Sequence, residues 1–378
     1  MLGANDRASF IRAVRGGDTA AARSLAANTP SLVGATDPDC FGATPLIHAV
    51  GTGDRAMVDL LLELGAEIDQ RSDWWAGSFG VLDNADDEMS AYLLTRGAAL
   101  TPHAAARLGM IDRLRAMLDR DASVVHARGG DGQMPLHFAR TVEIAELLLS
   151  RGADIDARDI DHASTAAQWL CGSRPEVAAY LVSRGATADP FLAARTGDVA
   201  LLEKLVAAEP DGVKVRIKRE RFVAAPPAAG HIYLYTIGEG CGLVHAAAES
   251  DRGGVIRWLA AYGADMNVRA GYDDATPLHV AAWNDKPEAT AALVDCGAEI
   301  NAKSGQLHNN EPIGWAIVGG SPKVFGVLLE RGATVRPNHI EDARKGAEGA
   351  FREFNPKRPL DAWRRIAEVL AREKSPRA

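Results

Sequence analysis

Two short stretches, GGDGQ at 129–133 and RDIDHAST at 158–165, carry Asp131, Asp161 and His162 in a setting of small and polar residues. A pair of carboxylates can divide acid and base roles, and an imidazole beside one of them is the side chain that titrates near neutral pH. A third stretch, RSDWWAGSFGVLDNADD at 71–87, sets Trp74 and Trp75 side by side with Asp83 and Asn84 close behind. A tryptophan left in water forgoes about 1.5–3 kcal/mol of burial free energy. Two adjacent ones therefore predict either a cover over neighbouring structure or a platform on which something stacks. With Asp83, Asp131, Asp161 and Gln133 as acceptors, such a platform suits polyhydroxylated, phenolic or cationic groups. The sequence holds no catalytic signature, no phosphate-cradling glycine loop and no metal-ligand spacing, so neither a cofactor nor a metal is expected.

The composition bounds what those residues can serve. The 378 residues are 47% hydrophobic, enough for a large core. Asp plus Glu number 50 against 42 Lys plus Arg, a formal charge of −8, which argues against a nucleic-acid partner. No run reaches the ~18 apolar residues of a membrane span, and MLGANDRASFIRAV lacks a secretory pattern, so no membrane partner and a cytoplasmic location are expected. The cysteines Cys40, Cys171, Cys241 and Cys296 are scattered, which predicts reduced thiols.

The elements that must position these residues come from a repeat. LLELGAEID at 61–69, LLLSRGADID at 147–156, LAAYGADMN at 259–267 and LVDCGAEIN at 293–301 are copies of one block. LLTRGAAL, LVSRGATAD and LLERGATV are degenerate versions. Where copies adjoin, their glycines fall 32 to 35 residues apart. A second block precedes the first, as in ATPLIHAV at 43–50, MPLHFA at 134–139 and ATPLHVAAW at 275–283. Thr-Pro opens a helix, small alanines let a second helix lie close, and the glycine ends that second helix in the left-handed region. Each pair has two apolar faces, satisfied only by stacking. The blocks and their period resemble the ankyrin repeat family, in a degenerate, bacterial-type form. The predicted fold is an all-α solenoid of roughly ten repeats over 1–335, with a helical cap over 336–378. In that cap helix Trp363, Ile366, Val369 and Leu370 are expected on one side.

The resemblance implies that ligands meet the concave side, made of finger tips between repeats and the ends of the first helices. Indexed back from each glycine, Trp74 and Trp75 fall at a finger tip and Asp83 and Asn84 late on the following first helix. Arg107, Asp131, Gln133, Asp161 and His162 follow, then Glu239, Glu249, Asp273, Trp283 and Trp315. Asp131 and Asp161 take equivalent tips, which predicts carboxylates ~8–10 Å apart, the gap an inverting glycosidase leaves for water. His103, His137, His245 and His279 occupy the ordinary TPLH position and are expected to brace turns, while Trp169 and Trp258 are expected to fill space.

One copy is interrupted over 211–240. Alternation in VKVRIKRERFV and HIYLYTIGEG predicts a β-hairpin at about 213–237, with Lys214, Arg216 and Lys218 on one strand face and His231, Tyr233 and Tyr235 on the other arm. Two function classes follow. One is a recognition module whose aromatic, acidic groove grips a protein partner. The other is a pocket for a small polar or aromatic molecule, with hydrolase- or lyase-type chemistry from Asp131, Asp161 and His162 under the hairpin as lid.

Overall fold

The structure is a computed structural model, and it describes residues 4–218, 230–305 and 310–373. These form two compact units. The first holds 4–170, 176–186 and Gly230, and the second 171–175, 187–218 and 231–373. Each unit is built as the sequence predicts, from stacked helix pairs of an all-α repeat solenoid.

The local chemistry is that of the two blocks. In the first unit, Thr44 caps the helix Pro45–Gly51 by accepting from the Ile47 N–H at 3.2 Å, and Pro45 occupies the first turn. Asp54 caps Arg55–Glu63 in the same way, and Gly65 ends that repeat at φ 93°. Leu61, Leu93 and Ala105 have no exposed surface, so the inner faces of successive pairs fill one another. The second unit repeats the scheme with Leu243–Glu249 on Pro277–Trp283 and Pro277–Trp283 on Pro312–Gly319. Among the described residues there is no strand. Isolated bridges such as Asp37 to Ala43 and Arg158 to Thr165 close finger turns instead.

Three expectations are corrected. The repeat that contains the tryptophan pair has no first helix. Residues 71–86 run as turns and irregular chain until Asp87–Thr95 begins, so Asp83 and Asn84 do not sit on a helix. The stretch lacks a Thr-Pro start and carries Gly77, Gly80 and Asp-Asn, all of which favour turns. Ser72 closes it as a loop, its N–H donating to Phe79 O and its hydroxyl accepting from the Phe79 N–H.

The second correction is the β-hairpin. Tyr233–Thr236 is a helical turn closed by Thr236 N–H to Ile232 O and Ile237 N–H to Tyr233 O. The Tyr233 ring is buried against Phe191 and its hydroxyl donates to Asp189 at 3.0 Å, and this anchoring overrides the strand preference of alternating aromatics. On the other arm, Arg216 makes one bridge to Gly242, and residues 219–229 lie outside the described residues.

The third concerns Leu360–Glu373. Trp363 and Ile366 are fully buried and Leu370 nearly so, but Val369 turns outward.

Candidate functional site

The predicted acid and base groups meet in the first unit. The finger at 129–133 turns at Asp131, whose φ of 56° is a left-handed conformation that aspartate tolerates better than most side chains. The main-chain oxygen of Asp131 accepts the N–H groups of Ile160 at 2.9 Å and Asp161 at 3.2 Å, which folds the next finger back onto it. Ligand-capable atoms of Asp131, Asp161 and His162 consequently lie within 4.8 Å of one another. This corrects the expected spacing of ~8–10 Å between the two carboxylates, since an oxygen of each lies within 4.8 Å of the other.

Asp159, which is not among the predicted site residues, organises the cluster. Its Oδ1 accepts the backbone N–H groups of His162 at 3.1 Å and Ser164 at 2.9 Å. Its Oδ2 lies 3.2 Å from His162 Nδ1 and accepts Trp169 Nε1 at 2.9 Å. The Trp169 and His162 rings meet edge to face at 5.0 Å, so Trp169 holds the imidazole rather than merely filling space. A signal for Asp159 existed in the sequence. DIDHAST matches DPDCFGAT at 37–44, where Asp37 likewise opens a finger, and Asp37 Oδ2 meets His48 Nε2 at 2.9 Å.

Burial sets the electrostatics. It lifts the Asp131 carboxyl to about 6, against the pull of the His162 charge and with help from Asp161. For His162, burial opposes protonation, but the hydrogen bond and charge of Asp159, with Asp131 and Asp161 behind it, outweigh it and raise the imidazole above its usual value. Both groups hold protons more tightly in the folded chain. Their stabilising contribution is complete at acid pH and fades as pH rises through their folded values, near 6 for Asp131. Asp131→Asn should therefore remove part of this slope. The difference in unfolding free energy between wild type and variant is expected to change by on the order of 1 kcal/mol between pH 4 and 7, a figure kept small by the partial exposure of the carboxyl. Urea titrations of both proteins across that range would check it.

Trp74 joins this cluster from the neighbouring finger, its Nε1 donating to Asp131 Oδ1 at 3.1 Å. Its ring meets Phe41 edge to face at 5.1 Å and Trp75 at 6.1 Å, and Phe41 also meets Phe79 at 6.0 Å. The fingers approach closely because glycines face one another. A Cβ on Gly77 would sit 2.1 Å from Gly129 O, and one on Gly130 would sit 2.2 Å from the Phe79 ring. Phe41 stays 52% exposed, Trp75 44% and Ile160 43%. Phe41, Phe79 and Ile160 were not singled out in the sequence, since nothing in their local pattern marks them as exposed.

Other predicted site residues have structural partners. Asp83 accepts from Gly80 N–H and Arg71 and closes the 71–86 loop, and Asn84 is exposed beside it. Arg107 donates to Leu82 O at 2.8 Å and Ser90 Oγ at 2.9 Å, clamping the same loop, with burial lowering its pKa. Gln133 is buried. In the second unit His231 and Tyr233 are core groups while Tyr235 is 59% exposed, so they share no face. Glu239 is exposed, Glu249 pairs with buried Arg195 at 2.8 Å, and Asp273 accepts Ser304 Oγ at 2.9 Å. Trp283 and Trp315 meet edge to face at 6.1 Å, half-buried, and Trp258, expected to be core, is half-buried and stacked on Tyr262. The four TPLH histidines brace carbonyls as expected: His103 to Ala127, His137 to Ser164, His245 to Ala275 and His279 to Asn310. Burial holds His245 and His279 neutral, down to about 4.

Comparison with known proteins agrees with this architecture. A family model described as "Ankyrin repeats (3 copies)" matches residues 190–304 and 243–339, and one described as "Ankyrin repeat" matches 41–73 and 131–160. Among curated proteins, similarity is found to the NF-kappa-B inhibitor cactus of Drosophila melanogaster, 32% identical over 26% of this chain and 20% of that protein. The E3 ubiquitin-protein ligase KEG of Arabidopsis thaliana is 25% identical over 83% of this chain and 18% of that protein. The transient receptor potential cation channel subfamily A member 1 of Homo sapiens is 25% identical over 79% and 24%. The chain thus spans a quarter or less of the length of these relatives. The human ASB11 ankyrin repeat domain aligns at 22% identity and a TM-score of 0.37, covering 63% of this chain and all of that one. No helix among the described residues is long and apolar enough to cross a membrane.

Proposed function

Because the chain belongs to the ankyrin repeat family, we propose that it is a recognition protein that grips a segment of a partner polypeptide on the finger tips of its first unit. The observation that carries this reading is the half-exposure of Phe41, Trp75 and Ile160 on fingers tied to Asp131. Large apolar side chains left in water beside a partly buried acid are what the centre of a binding surface requires, with aromatic anchors supplying most of the affinity. One curated relative is by its name an inhibitor of another protein, a role that fits a surface of this kind.

A peptide library displayed on phage and selected against the wild-type chain, then screened against Phe41→Ala/Trp75→Ala, tests the proposal. Selected peptides should lose at least about tenfold in affinity for the variant, or ~1.4 kcal/mol. Trp75→Ala alone should cost only about 1 kcal/mol of folding stability, because the ring is so exposed. A larger melting loss would make Trp75 a cover, and equal binding by wild type and double variant would remove the surface from function.

A second reading, a small molecule held at Asp131 and His162 for acid–base chemistry, is favoured by one observation: both groups hold protons more tightly than usual beside one another. A thermal-shift screen of sugars, phenolics and amines tests it, and no shift from any of them would dispose of it.

A further inference from the structure

Resting on the finger-tip surface proposed above, we infer that the partner segment delivers a lysine-type cation, an ammonium or its methylated forms, to the aromatic corner of Phe41, Trp74 and Trp75, with Asp131 as counter-charge. The rings are not stacked. Phe41 stands at 85° to Trp74 and 62° to Phe79, and Trp74 at 58° to Trp75. Stacked rings would hide their faces from solvent, whereas these meet at steep angles, and about half of Phe41 and of Trp75 is open to solvent. Each face is the negative side of a quadrupole, so the corner attracts a cation and repels an anion.

A carboxylate is fixed in the same place. Trp74 Nε1 holds Asp131 Oδ1 at 3.1 Å, so the indole that walls the corner also positions the acid. The charged groups around Asp131 are Asp159, Asp161 and His162. Two of these add negative potential and His162, when protonated, opposes them with a single positive charge that it shares with Asp159, 3.2 Å from its Nδ1. An exposed rim of acids, Asp39 and Asp73, lies on the same two fingers as Phe41 and the tryptophans. The charge and the apolar surface thus call for one side chain that has both a greasy stem and a positive end. Lysine and its methylated forms meet that description.

The comparable cluster at Asp37, Cys40 and His48 carries no such inference, because Arg15 already supplies the cation, 3.6 Å from Asp37 and 3.3 Å from His48 Nδ1.

The test uses the full chain labelled with 15N-tryptophan and short Gly–Ser peptides with one central residue: lysine, trimethyllysine or the uncharged isostere norleucine. The indole N–H signals of Trp74 and Trp75 should shift with the two charged peptides and not with norleucine. Asp131→Asn, which suits the left-handed turn as well as aspartate does, should weaken binding at least about tenfold. Binding to the wild type should tighten as pH rises through about 6, where Asp131 ionises, and do so more steeply than in the variant, which keeps only the loss of the His162 charge. Equal shifts with norleucine, or unchanged affinity in a folded Asp131→Asn, would overturn the cation while leaving the docking surface in place. Phage peptides that bind the wild type, depend on Phe41 and Trp75, and contain no lysine would do the same. A selection that yields no binder overturns both.

Discussion

Trp363→Ala should destabilise the second unit by about 3–5 kcal/mol, the range for truncating a fully buried tryptophan. Trp363 has no exposed surface, and its indole N–H donates to Val318 O at 3.2 Å. Gly320 and Gly346 are shaped around it: a Cβ on either would come within 2.7 Å of the ring. Neighbours that pass this close on both sides cannot collapse into the space left behind, so the cavity term adds to the lost burial. Ile366 sits one turn further on and is equally buried, so the helix Leu360–Glu373 would lose its hold on Pro337–Ala347 as well. Urea denaturation followed by tryptophan fluorescence would read the effect. A loss below about 1 kcal/mol would mean that this helix does not close the apolar end of its unit.

The second large effect is expected at Asp159→Ala in the first unit, about 3–5 kcal/mol of stability together with a lower pKa for His162. Asp159 is buried and accepts from two backbone N–H groups, Trp169 Nε1 and the His162 ring. Alanine leaves these donors without that acceptor, at ~1–3 kcal/mol for each one that stays buried and unpaired. It also removes the hydrogen bond and the charge that raise the imidazole. Asp159→Asn separates the two effects. One oxygen is kept for the backbone donors, so part of the stability should return, while His162 should still titrate lower. Proton NMR of His162 in the three proteins would check both. An unchanged His162 pKa in Asp159→Ala would show that Asp131 and Asp161 hold its proton instead.

The solenoid was legible because its causes are local. Thr44 and Pro45 start a helix, Gly65 ends another, and apolar residues at helical spacing bury the inner faces wherever they recur. The same locality explains the bracing histidines, whose partner carbonyls sit at a fixed offset in the next repeat. The candidate site was legible in its residue types and in the convergence of Asp131, Asp161, His162 and Trp74, since repeat indexing places finger tips next to one another.

By itself, then, the sequence determined the helix pairs, their stacking and the identity of the acids and indoles. Tertiary structure alone decided how far apart those groups lie and which of them meet solvent. Asp161 swings onto Asp131 because two backbone N–H groups share one carbonyl, a bond that no periodicity announces. Tyr233 abandons a strand because Asp189, 44 residues away, takes its hydroxyl. Phe41 becomes part of the aromatic corner only because Gly42, next to it, lets its finger close onto the Asp73 backbone of the tryptophan finger. Short-range propensity fixes an element in its own residues, whereas exposure and pairing depend on atoms far along the chain, and those are set only when the fingers pack.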